Sequence, residues 1–258
     1  MTEAIIKTLP GKNVGSFSRA RLNSRLPFPE LAQIPRNGLQ FWVDAGNALS
    51  YGGTGTTWFD LSGNGYDLTF QNSGSITFNS LGYFSTGATG YFSRATGNTN
   101  IPDVNDNYTM LAWVRNAAWD NSPYGRGIMS IGGYGTTNRS NAFRTDSGSV
   151  GGFSHYWWAN DLIATGTNTF ARPNCWYMGS CSFDGTTRRI FSNTIQAASD
   201  TPGSGHNVTS TAIQVALTYI SNSEYLNGDI AVAMIYDRAL NNSELVQIYN
   251  TYRNRFGV

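Results

Sequence analysis

Charge is scarce in this chain. Of its 258 residues only 13% are Asp, Glu, Lys or Arg, about half the ~25% usual for soluble domains. Glutamate occurs four times (Glu3, Glu30, Glu224, Glu244) and lysine twice (Lys7, Lys12). There are two histidines, His155 and His206, and two cysteines, Cys175 and Cys181. Long apolar runs are missing as well. Towards the C-terminal end the longest, Ile230 to Tyr236, has seven residues, whereas a membrane helix needs ~20. The opening MTEAIIKTLPGK is acidic at its third position and has no sustained apolar core, so a secretory signal is not expected. The cysteines lie six residues apart in one expected strand, about 20 Å at ~3.3 Å per residue, too far for a bridge. Two buried free thiols are expected. The sequons at Asn107, Asn138, Asn207 and Asn241 read as chance in an Asn-rich chain without a signal.

What is abundant points to β structure. Hydrophobic residues reach 40%, aromatic residues 14%, and glycine numbers 29. Low charge combined with Gly, Asn, Ser, Thr and aromatics is the profile of a turn-rich β protein, not of a helical bundle. From Gly38 onward short strand-like runs alternate with turns: LQFWVDA, TTWFDL, YDLTFQ, SITFNS, YFSTG, GYFSRA, YTMLAWVR, GIMSIGG, NAFRTD, SHYWWAND, WYMGSCSF, RRIFSN, IQVALTYI and DIAVAMIY. In YTMLAWVR, Met110, Ala112 and Val114 share one face and Leu111, Trp113 and Arg115 the other, as an inner strand of a layered sandwich requires. More than ten such runs predict an all-β sandwich or jelly roll. One helix is signalled. Asn241 is its N-cap and Glu244 its capping-box partner. Leu240 and Leu245 form a staple, and Leu245, Ile248, Tyr249 and Tyr252 make an apolar face.

The net charge of +1 conceals an asymmetry. Residues 1–36 carry +4, with Lys7, Lys12, Arg19, Arg21, Arg25 and Arg36 against Glu3 and Glu30, and contain half of the eight prolines; the remainder carries −3. The division expected is an extended basic arm, 1–36, and a nearly neutral sandwich, 37–258. The five basic residues of the first 25 are too dispersed, and too poor in stacking aromatics, for nucleic acid. Lys7, Lys12, Arg19, Arg21 and Arg25 are instead expected to contact neighbouring subunits of an assembly.

Several strings resemble laminin-G-like domains of the concanavalin A-like lectin/glucanase superfamily. GLQFWVDAGNALSY and TTWFDLSGNGYDLTF are similar to the family's opening, YTMLAWVR to its central strand, CWYMGSCSFDGTTRRIFSN to its Trp-Tyr strand and Asp-Gly turn, and NGDIAVAMIYDRALNNSELVQIYNTYRNRF to its closing strand and capped helix. The resemblance covers about residues 37–258 and implies a jelly-roll sandwich of two antiparallel sheets with one short C-terminal helix. The extended N-terminal arm lies outside it. Compact, stand-alone domains of this type also resemble virion proteins. Function does not follow from the fold, which hosts lectins, glycosidases, receptor modules and virion proteins.

Chemistry is thinly represented. Glycosidases of the superfamily carry Glu-X-Asp-X-X-Glu on one strand; here no strand presents two carboxylates two or four residues apart. Neither histidine has a metal-spaced partner or a nucleophile motif, so both read as turn or strand-edge residues. GGTGTT at Gly52 lacks the lysine and helix of a phosphate loop. No catalytic set and no metal site are assigned. The family often binds structural calcium, for which Asp44, Asp60, Asp67 and Asp229 could supply oxygens; turn hydrogen bonding is the competing role. Trp119, Tyr124 and Tyr134, in Gly/Asn-rich loops with Arg139 and Arg144 nearby, are candidates for a sugar platform, a protein contact or loop packing. Tyr156, Trp157 and Trp158 are further candidates, but they fall in an expected strand, where at least two should pack in the core. The leading expectation is a non-enzymatic virion structural protein, assembled in the host cytoplasm, anchored by its arm and homo-oligomeric within the particle, without membrane contact. The alternative is a carbohydrate-binding, receptor-recognition module of a tail or fibre.

Overall fold

Strand β7 (Tyr108–Arg115) shows how the layers are made. Met110, Ala112 and Val114 point into one apolar core, while Leu111 and Trp113 point into a second on the opposite face. A strand buried on both sides belongs to a sheet covered on both faces. A computed structural model describes residues 33–95, 97, 100–116, 124–145, 152–164 and 174–258. In it β7 is central in a first antiparallel sheet, ordered β14 (Ile195–Asp200), β13 (Arg188–Ser192), β12 (Tyr177–Phe183), β7, β16 (Asp229–Tyr236), β5 (Tyr83–Thr86) and β4 (Ile76–Asn79). β1 (Leu39–Asp44) also pairs with β16. The second sheet runs β11 (Asp161–Ala164), β10 (Phe153–Tyr156), β9 (Ser140–Thr145), β8 (Gly127–Gly132), β15 (Ala212–Val215), β6 (Tyr91–Ala95), β3 (Leu68–Gln71) and β2 (Thr57–Trp58). This is the expected jelly-roll sandwich. One core lies between the sheets; the other lies between the first sheet and helix α1 (Asn242–Phe256).

The helix follows its local signals. Asn241 caps it, accepting from the Glu244 amide, and the Glu244 side chain returns to the Asn241 amide. Leu245, Ile248 and Tyr252 are buried. The rings of Tyr249 and Phe256 stack on Trp113, with centroids 5.6 and 4.5 Å apart, and the Tyr252 hydroxyl accepts from Trp42 Nε1 at 3.1 Å. Gly257, at φ 70°, ends the helix in the left-handed conformation. Among the described residues no helix is long and apolar enough to cross a membrane. At the start of the described chain Ile34 is only 2% exposed in the helix-side core, the Pro35 carbonyl accepts from the Tyr236 hydroxyl, and Arg36 lies over the Trp42 ring at 4.8 Å. Both cysteines are free, Cys181 buried and Cys175 half-buried.

Two expected strands are broken, β14 lies outside the expected runs, and of β11 only Asp161 falls within one. SHYWWAND is not one strand but the end of β10, a tight turn and the beginning of β11. IQVALTYI ends as a strand at Val215, because Ala216 takes a left-handed φ of 65° and turns the chain out of the sheet.

The histidines also depart from expectation: neither sits at a strand edge or on an exposed turn, and both are buried. Trp157 Nε1 donates to the Tyr108 hydroxyl (2.7 Å), which also hydrogen-bonds His155 Nε2 (2.5 Å). His206 Nε2 meets Asn141 Oδ1 at 2.7 Å, and its ring stacks on Trp157 with centroids 3.7 Å apart. Burial, and after it the nearby Arg188 charge, holds His155 well below the usual imidazole range and His206 at about 3. Below pH 6.5 the unfolded chain therefore binds protons that the folded chain refuses. Stability is complete above 6.5 and is lost as the pH falls from there towards about 3, at up to about 1.4 kcal/mol per pH unit for each histidine. His206→Gln, which retains a donor for Asn141, is expected to flatten the fall in urea midpoint between pH 6.5 and 4. An unchanged pH slope would show that the buried imidazole is not its source.

Candidate functional site

The outer face of the second sheet carries the densest grouping of functional side chains. Register places Gln214, Ser130, Ala142, Tyr156 and Asp161 in one row across β15, β8, β9, β10 and β11. Their neighbours Val215, Met129, Phe143 and Leu162 lie in the inter-sheet core, so alternation turns the row outward. The chain leaving β15 then folds back over this face. Thr218 and Glu224 pair through the Thr218 amide and through Thr218 Oγ1 to Glu224 Oε2 at 2.6 Å, and the Gly127 amide donates to the Glu224 carbonyl. A Cβ on Gly127 would come within 2.3 Å of that carbonyl, so only glycine lets residues 218–224 lie on β8.

Beneath this clip is an enclosed ion cluster. Arg144 Nη1 lies 3.3 Å from Glu224 Oε2 and its Nη2 lies 3.9 Å from Asp161, while its guanidinium covers the Tyr156 ring at 3.9 Å. Glu224 also accepts from Asn222 Nδ2, and its side chain is 2% exposed. Burial pushes the Asp161 carboxyl up, opposed by Arg144, and pushes the Tyr156 phenol up to about 12. These carboxylates come from separate elements, so a search for paired acids along one strand misses them.

Above the cluster the clip and the β10–β11 turn assemble four aromatic rings. Trp158 and Ala159 form a two-residue hairpin turn with φ of 61° and 53°, a conformation usually given to Asn-Gly. A left-handed Trp costs of order 1–2 kcal/mol. It is held by hydrogen bonds from the Trp157 amide to the Asn160 carbonyl, from the Asn138 amide to the Trp158 carbonyl, and from two guanidinium nitrogens of Arg188 to Asn160. Trp158 meets the rings of Tyr134, Tyr156 and Tyr219 at 6.0, 5.8 and 5.4 Å, and Tyr134 stacks on Tyr219 at 4.7 Å and 19°. Burial pushes the Tyr134 phenol far above its ordinary range and keeps it neutral. On its other side Tyr134 borders an open depression of about 340 Å³, completed by Gly133, Thr136, Arg139, Thr209 and Thr211.

Of the residues expected to carry function, Tyr134 is in this cluster. Tyr124 is exposed in the turn before β8. Trp119, together with Lys7, Lys12, Arg19, Arg21 and Arg25, lies outside the described residues. The expectation that at least two of Tyr156, Trp157 and Trp158 pack in the core is corrected. Trp157 alone does, because the turn carries its neighbours to the outer face. Trp158 is legible in the sequence only as one of three aromatics in an expected strand, and Tyr219 not at all, since each owes its position to a left-handed turn in what reads as a strand. Of the four aspartates weighed for calcium, Asp44 ends β1, Asp229 begins β16, and Asp60 and Asp67 share the loop between β2 and β3. Asp60 accepts from the Trp42, Ser62 and Tyr66 amides, Asp67 from the Asp60 amide, Asp44 from Gly46 and Arg255, and Asp229 from Ser85 and Arg115. Among the described residues no three His, Cys, Asp or Glu side chains group as a metal site.

Comparison with known proteins places this face in context. A laminin G family model described as concanavalin A-like lectin/glucanases superfamily matches residues 86–246. No curated protein matches the sequence. Among solved structures the chain is similar to the binding domain of botulinum neurotoxin serotype D/C (14% identity, TM-score 0.60, covering 84% of this chain and 52% of that one). It is also similar to the binding domain of a paraclostridial mosquitocidal protein (16%, 0.52, 85% and 53%). A further similar structure is the botulinum neurotoxin DC binding domain in complex with SialylT (14%, 0.57, 84% and 52%). This chain thus spans about half the length of the structures it resembles, and at such identity the likeness is one of fold.

Removing the Glu224 carboxylate leaves Arg144 short of its closest partner in an enclosed site, for which a loss of about 3–5 kcal/mol is expected. Urea unfolding of Glu224→Ala with an unchanged m-value checks this. The near-UV circular dichroism of the Tyr134–Tyr219 stack should weaken in the same variant.

Proposed function

The chain belongs to the concanavalin A-like lectin/glucanases superfamily, and we propose that within it this protein is a non-catalytic carbohydrate-recognition module that binds glycans on the outer face of its second sheet. The observation that carries this reading is the left-handed Trp158, held at a hairpin tip against Tyr134 and Tyr219. A strained aromatic held against Tyr134, which itself borders an open depression, is a costly arrangement for mere packing. It suits the C–H faces of sugar rings, which stack on aromatics while hydroxyls are read by neighbouring polar groups. The solved complex of a similar fold with SialylT supports the choice of ligand class. Glu224, with its oxygens bound by Thr218, Asn222 and Arg144, is committed to holding the clip, which argues for binding over hydrolysis.

We further propose that the basic arm anchors the module to neighbouring subunits of a larger assembly, a virus or phage particle in the reading its sequence resemblance suggests. The +4 charge of residues 1–36 against −3 for the rest supports that division of labour. Removing residues 1–32 is expected to leave the sandwich folded with an unchanged thermal midpoint while abolishing incorporation.

For the binding face, Trp158→Ala and Tyr219→Ala are each expected to weaken glycan binding by about tenfold, the worth of one stacked ring, with near-native unfolding midpoints. A glycan array read by titration calorimetry of its hits checks this. An array with no hits for the native protein overturns the carbohydrate reading.

A further inference from the structure

We propose that the depression beside Tyr134 seats an acidic sugar, one whose ring carries a carboxylate, and that Arg139 is the residue that selects it. This deepens the carbohydrate reading and rests on it. At about 340 Å³ the depression is at the small end of ligand sites, a scale suited to one sugar unit. Its lining is lopsided in charge: a tyrosine, three threonines, a glycine and one arginine, with no acidic residue. Arg139 is exposed and anchored through Nη1 to the Asn207 carbonyl at 3.1 Å, and among the described residues it has no ion pair. The rest of its planar fork is open for two parallel hydrogen bonds to a carboxylate.

The acids nearby are already engaged. Glu224 is paired with Arg144 at 3.3 Å. Asp103, behind the Thr209–Thr211 segment, turns Oδ1 to the Val104 and Ser210 amides. Of the residues lining the depression, Arg139 alone carries a charge. Tyr134 supplies an apolar floor for the sugar ring, and the threonine hydroxyls, each donor and acceptor, match ring hydroxyls. A neutral sugar would fill the same space without using the open guanidinium.

The test compares methyl β-D-glucuronide with methyl β-D-glucoside, which differ only in carboxylate against hydroxymethyl, with the methyl glycoside of N-acetylneuraminic acid as a second carboxylate sugar. Saturation-transfer NMR titration of the full chain should show at least one acid sugar bound about tenfold more tightly than the glucoside. The preference should shrink as salt is raised. Arg139→Gln should reduce it to about twofold or less while Arg139→Lys retains part of it, and both exposed-site variants should unfold like the native protein. Equal binding of acidic and neutral sugars, or a preference that survives Arg139→Gln, overturns the proposal and leaves the carbohydrate reading standing. If none of the three sugars binds, the acidic-sugar proposal fails; the glycan array then decides separately whether the carbohydrate reading fails with it.

Discussion

The guanidinium of Arg188 is wholly enclosed at one edge of the sandwich, where β13 of the first sheet meets the β10–β11 hairpin of the second. An enclosed cation is tolerable only when most of its donors are used and a counter-charge lies at hand. Asp200 on β14 meets it with two bonds of 3.0 and 2.6 Å, Asn160 accepts two more, and the Trp157 ring lies beneath it at 4.3 Å. Two consequences spread from this point. Asn160, held from below, closes the hairpin that forces Trp158 and Ala159 into left-handed backbone. The enclosed charge also adds to burial in keeping His155 and His206 neutral. The outer face of the second sheet and the acid sensitivity of the core thus share one anchor.

The two sheets divide the work. The first is covered on one side by its partner sheet and on the other by α1, so β7, β12 and β16 are buried along almost their whole length and leave little room for recognition. The second has its helix-free face partly covered by residues 218–224, and there polar and aromatic groups gather around an open depression. Strength is concentrated in the doubly covered sheet, and the exposed chemistry sits on the face that packing left available.

Legibility followed the same division. The β7 pattern and the capping box at Asn241–Glu244 each act through neighbours a few residues away, and both stand as read. The readings that failed cluster at the site. SHYWWAND and IQVALTYI both read as continuous strands because their composition is apolar and aromatic, yet each is cut by non-glycine residues at positive φ, which no local propensity favours. The histidines were misplaced for a related reason. Their burial depends on Tyr108, Asn141, Trp157 and Arg188, which come from four separate parts of the chain.

Composition and periodicity by themselves determined an all-β sandwich, its doubly buried central strand and its capped C-terminal helix. Those features depend on short-range propensity and on apolar alternation, both written in consecutive residues. Only the tertiary structure decided which aromatics face outward, which acids meet Arg144 and where a ligand-sized space opens. Cross-strand register and a buried arginine bring those groups together from positions tens of residues apart. The energy that holds Trp158 in its strained turn comes from contacts across the edge of the sandwich, not from the residues beside it.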